Sequence, residues 1–196
     1  FNDDPKRKLK YTLHAIKSPT SWVGVNTSLT NDLVWELWLN KAPPHWSKFA
    51  HGKREVKVSE HTRFDMVFWD NEIPINTNKK IPMEVFDQHP FHFVEVKNVT
   101  LSEGDTALFP DAVTTRGQKH LIELTEWVER GHSAEIVFVI QRTDCNQFSP
   151  AQDIDPTYAQ LLQKAQKKGV KISPYACNFE PNKIEIDPLK FIQLVL

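Results

Sequence analysis

Two of the most apolar stretches of the sequence are interrupted by charge: Asp65 in RFDMVFW (63–69), and Glu95 with Lys97 in FHFVEVKNVTL (91–101). Successive strand residues point to opposite faces, so Glu95 and Lys97 share one. Burying both is unfavourable unless each has a partner or a role. If the two segments pair as a hairpin, Asp65, 30 residues upstream of Glu95 (95 minus 65), meets Glu95 and Lys97 at one end of the sheet. Two carboxylates and a lysine suit phosphodiester hydrolysis. The carboxylates hold a divalent cation, Mg²⁺ or Mn²⁺, through oxygens and leave positions for water and phosphate. The lysine orients that water or sets a fixed positive charge against the pentavalent phosphate. Glu36, alone among the apolar residues of VWELW, supplies an extra ligand. The same residues also admit a plain internal salt bridge, Lys97 with Asp65 or Glu95, that closes the sheet. The E-x-K triplet alone does not decide, because EVK recurs at Glu55-Val56-Lys57.

Other charged residues invite a polyanion. Arg116, Lys119 and His120 fall in the first turns of an expected helix, where phosphate meets free backbone N–H groups; an exposed polar helix face accounts for them equally well. Lys6, Arg7 and Lys8 lie in PKRKLK (5–10), either a nucleic-acid contact or a solvated terminal segment. His89 and His92 of HPFH form a weaker metal pair. The tryptophans of VWELW read as core, with base stacking the lesser alternative. No G-x-S-x-G, P-loop or dinucleotide fingerprint occurs, which removes support for a serine hydrolase, NTPase or dehydrogenase.

The elements that must position these residues follow from pattern. With 196 residues, 40% of them hydrophobic, including 6 Trp and 12 Phe, the chain can build one sizeable core. A net charge of -1 says little about partners, and two cysteines make neither a disulfide framework nor a zinc site. No apolar run reaches the ~20 residues of a membrane helix and no signal peptide opens the chain, so a reducing, cytoplasmic setting is expected. Residues 9–16 alternate loosely and suit one strand. Thr30 or Asn31 caps a helix that Pro43-Pro44 ends. Residues 54–60 and 61–69 read as strands, and 70–90 as a long, proline-bearing excursion. Residues 101–114 form a turn-rich connection to a helix that Gly131 stops. AEIVFVIQ (134–141) is a central strand covered on both faces. A helix opens at Asp155-Pro156 and ends at Gly169, and VKISPYAC adds a further strand. The order of elements predicts an α/β fold, a mixed sheet flanked by helices.

With those residues in hand, the chain resembles the sugar fermentation stimulation protein (SfsA) family. The matching stretches include PKRKLKYTL, WVGVNTSLTNDLV, FVEVKNVTL, ALFPDAVTTRGQKHLIEL, FVIQRTDC and GVKISPYAC, in order along nearly the whole chain. The resemblance implies a PD-(D/E)XK restriction-endonuclease-like domain over residues 21–196. It also implies an OB-like N-terminal domain, of which residues 1–20 would be a remnant. Asp65 then stands for the D, Glu95 and Lys97 for the E-x-K, and Arg116 and His120 fall in the family's R-G-x-K-H helix. The implied partner is DNA, with RNA the alternative substrate. The implied role is either a metal-dependent nuclease or a non-catalytic DNA-binding regulator of sugar (maltose) metabolism. Residues 70–90 are longer than the resemblance leads one to expect.

Overall fold

The computed structural model describes residues 3–60, 62–70, 73, 75, 80–180, 182–190 and 192–196. Near its start, Ala15–Lys17 (β1) and Trp22–Gly24 (β2) form a two-stranded antiparallel ribbon. The strand expected over 9–16 is thus confined to its last residues. Leu9, Tyr11 and Leu13 alternate as a strand would, but they are exposed and lie outside any strand. The turn of the ribbon is closed by Ser18 N–H to Ser21 C=O at 2.8 Å.

The first helix, Thr30–Leu39 (α1), is entered through a 3₁₀ turn, Thr27–Leu29. The cap therefore lies upstream of the expected Thr30 or Asn31: the Asn26 side chain accepts from the Ser28 N–H. At the other end the N–H groups of Lys41 and Ala42 bond back to Trp38 and Leu37. This closing motif needs a left-handed residue just beyond the helix, and Lys41 adopts φ 50° there, ahead of the prolines.

The main sheet has six strands: His51–Lys57 (β3), Arg63–Trp69 (β4), His92–Val99 (β5), Ser133–Ile140 (β8), Lys171–Glu180 (β10) and Lys183–Asp187 (β11). Their spatial order is β11-β10-β8-β5-β4-β3. The centre, β5-β8-β10, is parallel, and β3, β4 and β11 are antiparallel to their neighbours. Two crossovers build the parallel centre. One passes through Thr115–Glu129 (α3), capped by Thr114, and the other through Pro156–Lys167 (α4), capped by Asp155. The continuous apolar run of β8 is buried as expected. One core lies under α3 and α4 and includes Phe93, Phe138, Leu124 and Leu162. The other lies under α1 and includes Val34, Trp38, Trp46 and Phe68.

The connections hold more structure than their composition indicates. Residues 101–114 contain the hairpin Leu101–Glu103 (β6) and Thr106–Phe109 (β7). With Gln147–Pro150 (β9) and Gln193–Leu194 (β12) this hairpin forms a second, four-stranded sheet. A short helix, Met83–Gln88 (α2), occupies the end of the excursion, where Phe86 is buried; residues 71, 72, 74 and 76–79 of that excursion lie outside the described residues.

Strict alternation fails at one place. Phe64 and Met66 are two positions apart on β4 and should share a face, yet Phe64 packs in the α3 core and Met66 in the α1 core. The partner strand turns at the same level. Every β3–β4 pair from His51↔Trp69 to Lys57↔Arg63 keeps one register except Glu55 opposite Asp65, which is unpaired. Glu55 adopts φ 54°, a left-handed conformation that costs a non-glycine residue about 1 kcal/mol or more. The ribbon rolls over at Asp65.

Candidate functional site

The site opens where β4 and β5 part. Their ladder runs from Phe68↔His92 to Met66↔Val94 and stops. One step further the Asp65 carboxylate takes over from the main chain: Oδ2 accepts the Val96 N–H at 2.8 Å, and Oδ1 accepts from Asn31 Nδ2 at 2.9 Å. Burial and the neighbouring Glu95 charge push the Asp65 carboxyl above its usual range, against these two bonds and the charge of Lys97. The two carboxylates therefore feel one another, as the hairpin pairing required.

Glu95 sits on the α3 face of β5, 3% exposed. Its Oε1 receives Lys97 Nζ at 2.6 Å and the Nδ1–H of His120 from α3. Burial pushes its carboxyl up, but His120 and Lys97 outweigh that and hold it below the usual range. Lys97 Nζ also lies 3.1 Å from His120 Nδ1. With Nδ1–H donated to Glu95, that nitrogen has no lone pair left for Lys97, so the approach between them is a contact rather than a hydrogen bond. The other Glu95 oxygen, Oε2, is buried and has no hydrogen-bond partner. A buried carboxylate oxygen left bare is unfavourable by about 1–3 kcal/mol or more, and native proteins leave few such atoms without a reason.

These ion pairs are not what holds the sheet together. Fully buried Phe64, Phe93 and Phe138 each contribute roughly 2–3 kcal/mol of transfer free energy. A buried ion pair often gains nothing over an apolar substitute.

Two adjoining clefts meet here. The smaller, about 260 Å³, is lined by Asp65, Glu95, Lys97 and His120, with Thr30, Asn31 and Asn98 on the side of α1. The larger, about 540 Å³, shares Asp65, Arg116 and His120 and extends between β3–β4 and the first turn of α3. Arg116 is exposed and faces both; Lys119 lines the larger one and lies 3.4 Å from Glu123. Four of the charged residues singled out in the sequence, Asp65, Glu95, Lys97 and His120, thus converge, with Arg116 and Lys119 at the rim.

Glu36 does not join them. It is exposed and lines a separate groove with Asp32, Trp22 and Lys183. Asn31 already faces Asp65, and five residues along a helix turn the side chain by roughly 140°, so Glu36 is carried away. Lys6, Arg7 and Lys8 are exposed in the N-terminal segment and line neither cleft. His92 is committed elsewhere: His92 Nε2, His45 Nε2 and Trp46 Nε1 all approach Glu135 Oε2, at 3.1, 3.0 and 2.8 Å. Among the described residues no group of three or more His, Cys, Asp or Glu is arranged as a metal cage. Nor is any described helix long and apolar enough to cross a membrane. Asn31, Asn98 and Thr30 could not be singled out beforehand, since uncharged polar residues near a helix start are ordinary.

A mixed sheet with helices on both faces, and charged residues at the point where two central strands part, defines a nuclease-like α/β fold. The family model for the sugar fermentation stimulation protein RE domain matches residues 28–183. A sugar fermentation stimulation protein homolog of Bdellovibrio bacteriovorus is 48% identical over 201 residues, covering 95% of this chain and 76% of that protein. A homolog from Geotalea uraniireducens is 40% identical over 185 residues, covering 94% and 73%. The structure of Pyrococcus furiosus SfsA in complex with Ca²⁺ superposes with a TM-score of 0.80 at 25% identity, covering 97% of this chain and 74% of that one. The chain belongs to the sugar fermentation stimulation protein family.

Proposed function

We propose that this is a divalent-metal-dependent phosphodiester hydrolase site that acts on nucleic acid, DNA in the first instance. The observation that carries the reading is the bare, buried Oε2 of Glu95 with a second carboxylate, Asp65, lining the same cleft, its ionisation disfavoured by burial and then by Glu95. The donor set fits a hard cation of the Mg²⁺ or Mn²⁺ type, which takes one or two carboxylates and keeps several waters. The presence of Ca²⁺ in the complex of the Pyrococcus relative supports the same class of ion. Asp65 and Glu95 would hold it. When bound, a divalent ion acidifies water and neutralises charge on phosphate oxygens.

The chain's own groups do the rest. Lys97, held by Glu95 at 2.6 Å and lining the smaller cleft, places a positive charge where a phosphate oxygen gains negative charge. His120, its Nδ1–H directed to Glu95, offers Nε2 to accept a proton from water. Asn31 and the Val96 N–H hold the Asp65 carboxylate in one orientation. Arg116, at the mouth of both clefts, attracts the backbone of the strand. The rival reading, a DNA-binding regulator without turnover, is favoured by one feature: Lys97 is already paired with Glu95 at 2.6 Å and is only 13% exposed in its side chain.

Incubation with single- and double-stranded DNA and RNA in Mg²⁺ or Mn²⁺ separates the two. Cleavage that disappears in Glu95→Gln and in Lys97→Ala supports the hydrolase. Salt-sensitive binding without cleavage, equal in both variants, supports the regulator.

A further inference from the structure

The larger cleft gathers four cationic side chains, Lys57, Arg63, Arg116 and Lys119, against Glu55, Glu60 and Asp65. Lys57 and Arg63 are cross-strand partners at the end of the β3–β4 ladder, and Arg116 and Lys119 face them from α3. The left-handed turn at Glu55 directs this end of the ribbon. Past it, Val56 and Phe64 roll under α3, and Lys57 and Arg63 line the cleft. Glu55 and Glu60 line it too, but Glu55 is held by Arg63 at 3.2 Å. An exposed pair of that kind is readily exchanged for a phosphate, which brings further acceptor oxygens and charge. Lys57 and Arg116 have no ion-pair partner among the described residues.

Among the described residues no Phe, Tyr or Trp lines this cleft, so it lacks the large aromatic platform on which bases usually stack. Its contents are suited to phosphate and sugar. Its wall is continuous with the carboxylate cleft through Asp65, Arg116 and His120.

We propose that this basic cleft is a second phosphate subsite. It holds the phosphate next to the one between Asp65 and Glu95, so that a nucleic-acid strand is gripped at two successive phosphates on one side of the site, without reading its bases. The proposal rests on the phosphodiester reading above and deepens it.

The test is equilibrium binding, in Ca²⁺, of a thymidine trinucleotide with two phosphodiester linkages, and of its two analogues in which one or the other linkage is a neutral methylphosphonate. The wild-type protein should bind each analogue about tenfold more weakly than the parent. Lys57→Gln/Arg63→Gln, at exposed positions whose folding a melting curve checks, should bind the parent about tenfold more weakly and become indifferent to one of the two neutral linkages. A uniform loss for all three probes, or a wild-type pattern in the double variant, would overturn the subsite. Turnover is not required, so the two claims fail separately. Absence of cleavage with the two-linkage pattern intact removes the hydrolase and leaves the subsite. Cleavage with all three probes bound alike does the reverse.

Discussion

The Asp65 carboxylate accepts the Val96 N–H at 2.8 Å, one step beyond the last main-chain pair between their strands. A side chain has replaced a ladder bond where the strands separate, and this substitution creates the cleft. The arrangement costs stability when no cation is present, because burial and Glu95 raise the Asp65 carboxyl above its ordinary value. Between the unfolded value, about 4, and the raised folded one, the native state binds the extra proton. Stability therefore falls as pH rises through that window and stays lower above it. Asp65→Asn keeps an oxygen for Val96, and the Asn31 amide can turn to suit it. In chelator at neutral pH the variant should melt higher than the wild-type protein, with a flatter pH profile across the acidic window. A lower melting temperature would show that Asp65 is a structural ion.

Glu95 has the opposite standing. It is the counter-ion of Lys97, which is itself only 13% exposed in its side chain. Glu95→Gln leaves a nearly buried ammonium unpaired and should destabilise by roughly 3 kcal/mol. Lys97→Met in that background should recover part of the loss, so that the double variant is less destabilised than the two single changes add to. Denaturant unfolding of the four proteins measures the coupling; strict additivity would contradict it.

Much of this was legible in the sequence. The helix start at Asp155-Pro156, the stops Gly131 and Gly169 and the buried run of β8 follow from local rules, and each stands as expected. Asp65, Glu95 and Lys97 were visible because charge in an apolar strand is costly. What stayed hidden depends on partners. The second sheet is made of strands of two to four residues, too short for a periodicity to register. Glu36 misled because its conspicuousness lies in composition, whereas the direction of a helix side chain depends on how the helix docks. The roll of β4 at Asp65 left no mark, because Glu55 is an ordinary residue in an unusual conformation.

That conformation is testable against an internal control. Glu55 and Lys41 both have positive φ, 54° and 50°, where glycine is favoured by about 1 kcal/mol. Glu55→Gly and Lys41→Gly should each stabilise the chain by about that amount in thermal unfolding. Only Glu55→Gly should weaken divalent-ion binding, several-fold, because it frees the ribbon to straighten and to move Asp65. Equal effects on ion binding would mean that the turn at Glu55 has no part in the site.

The buried Glu135 supports the opposite face. Burial pushes its carboxyl up, but the bonds from His45 and His92 more than offset this and leave it far below the usual range. Its contribution is therefore present above the unfolded glutamate value and lost as pH falls through the folded one. Trp46→Phe removes one donor at 2.8 Å and should cost about 2 kcal/mol. Glu135→Gln should show a shallower loss of stability on acidification than the wild-type protein. Parallel acid profiles would contradict the ionised assignment.

The central claim is that Asp65 and the bare oxygen of Glu95 together hold a divalent cation, and calorimetric titration of Mg²⁺, Mn²⁺ and Ca²⁺ into chelator-treated protein tests it most directly. The account predicts saturable binding of one ion per chain, lost in Asp65→Asn and in Glu95→Gln and retained in Glu36→Gln. At an ion concentration a hundredfold above the dissociation constant, binding should stabilise the fold by about 2.7 kcal/mol. Binding that survives in Asp65→Asn and Glu95→Gln, or no saturable binding of any of the three ions, would contradict it.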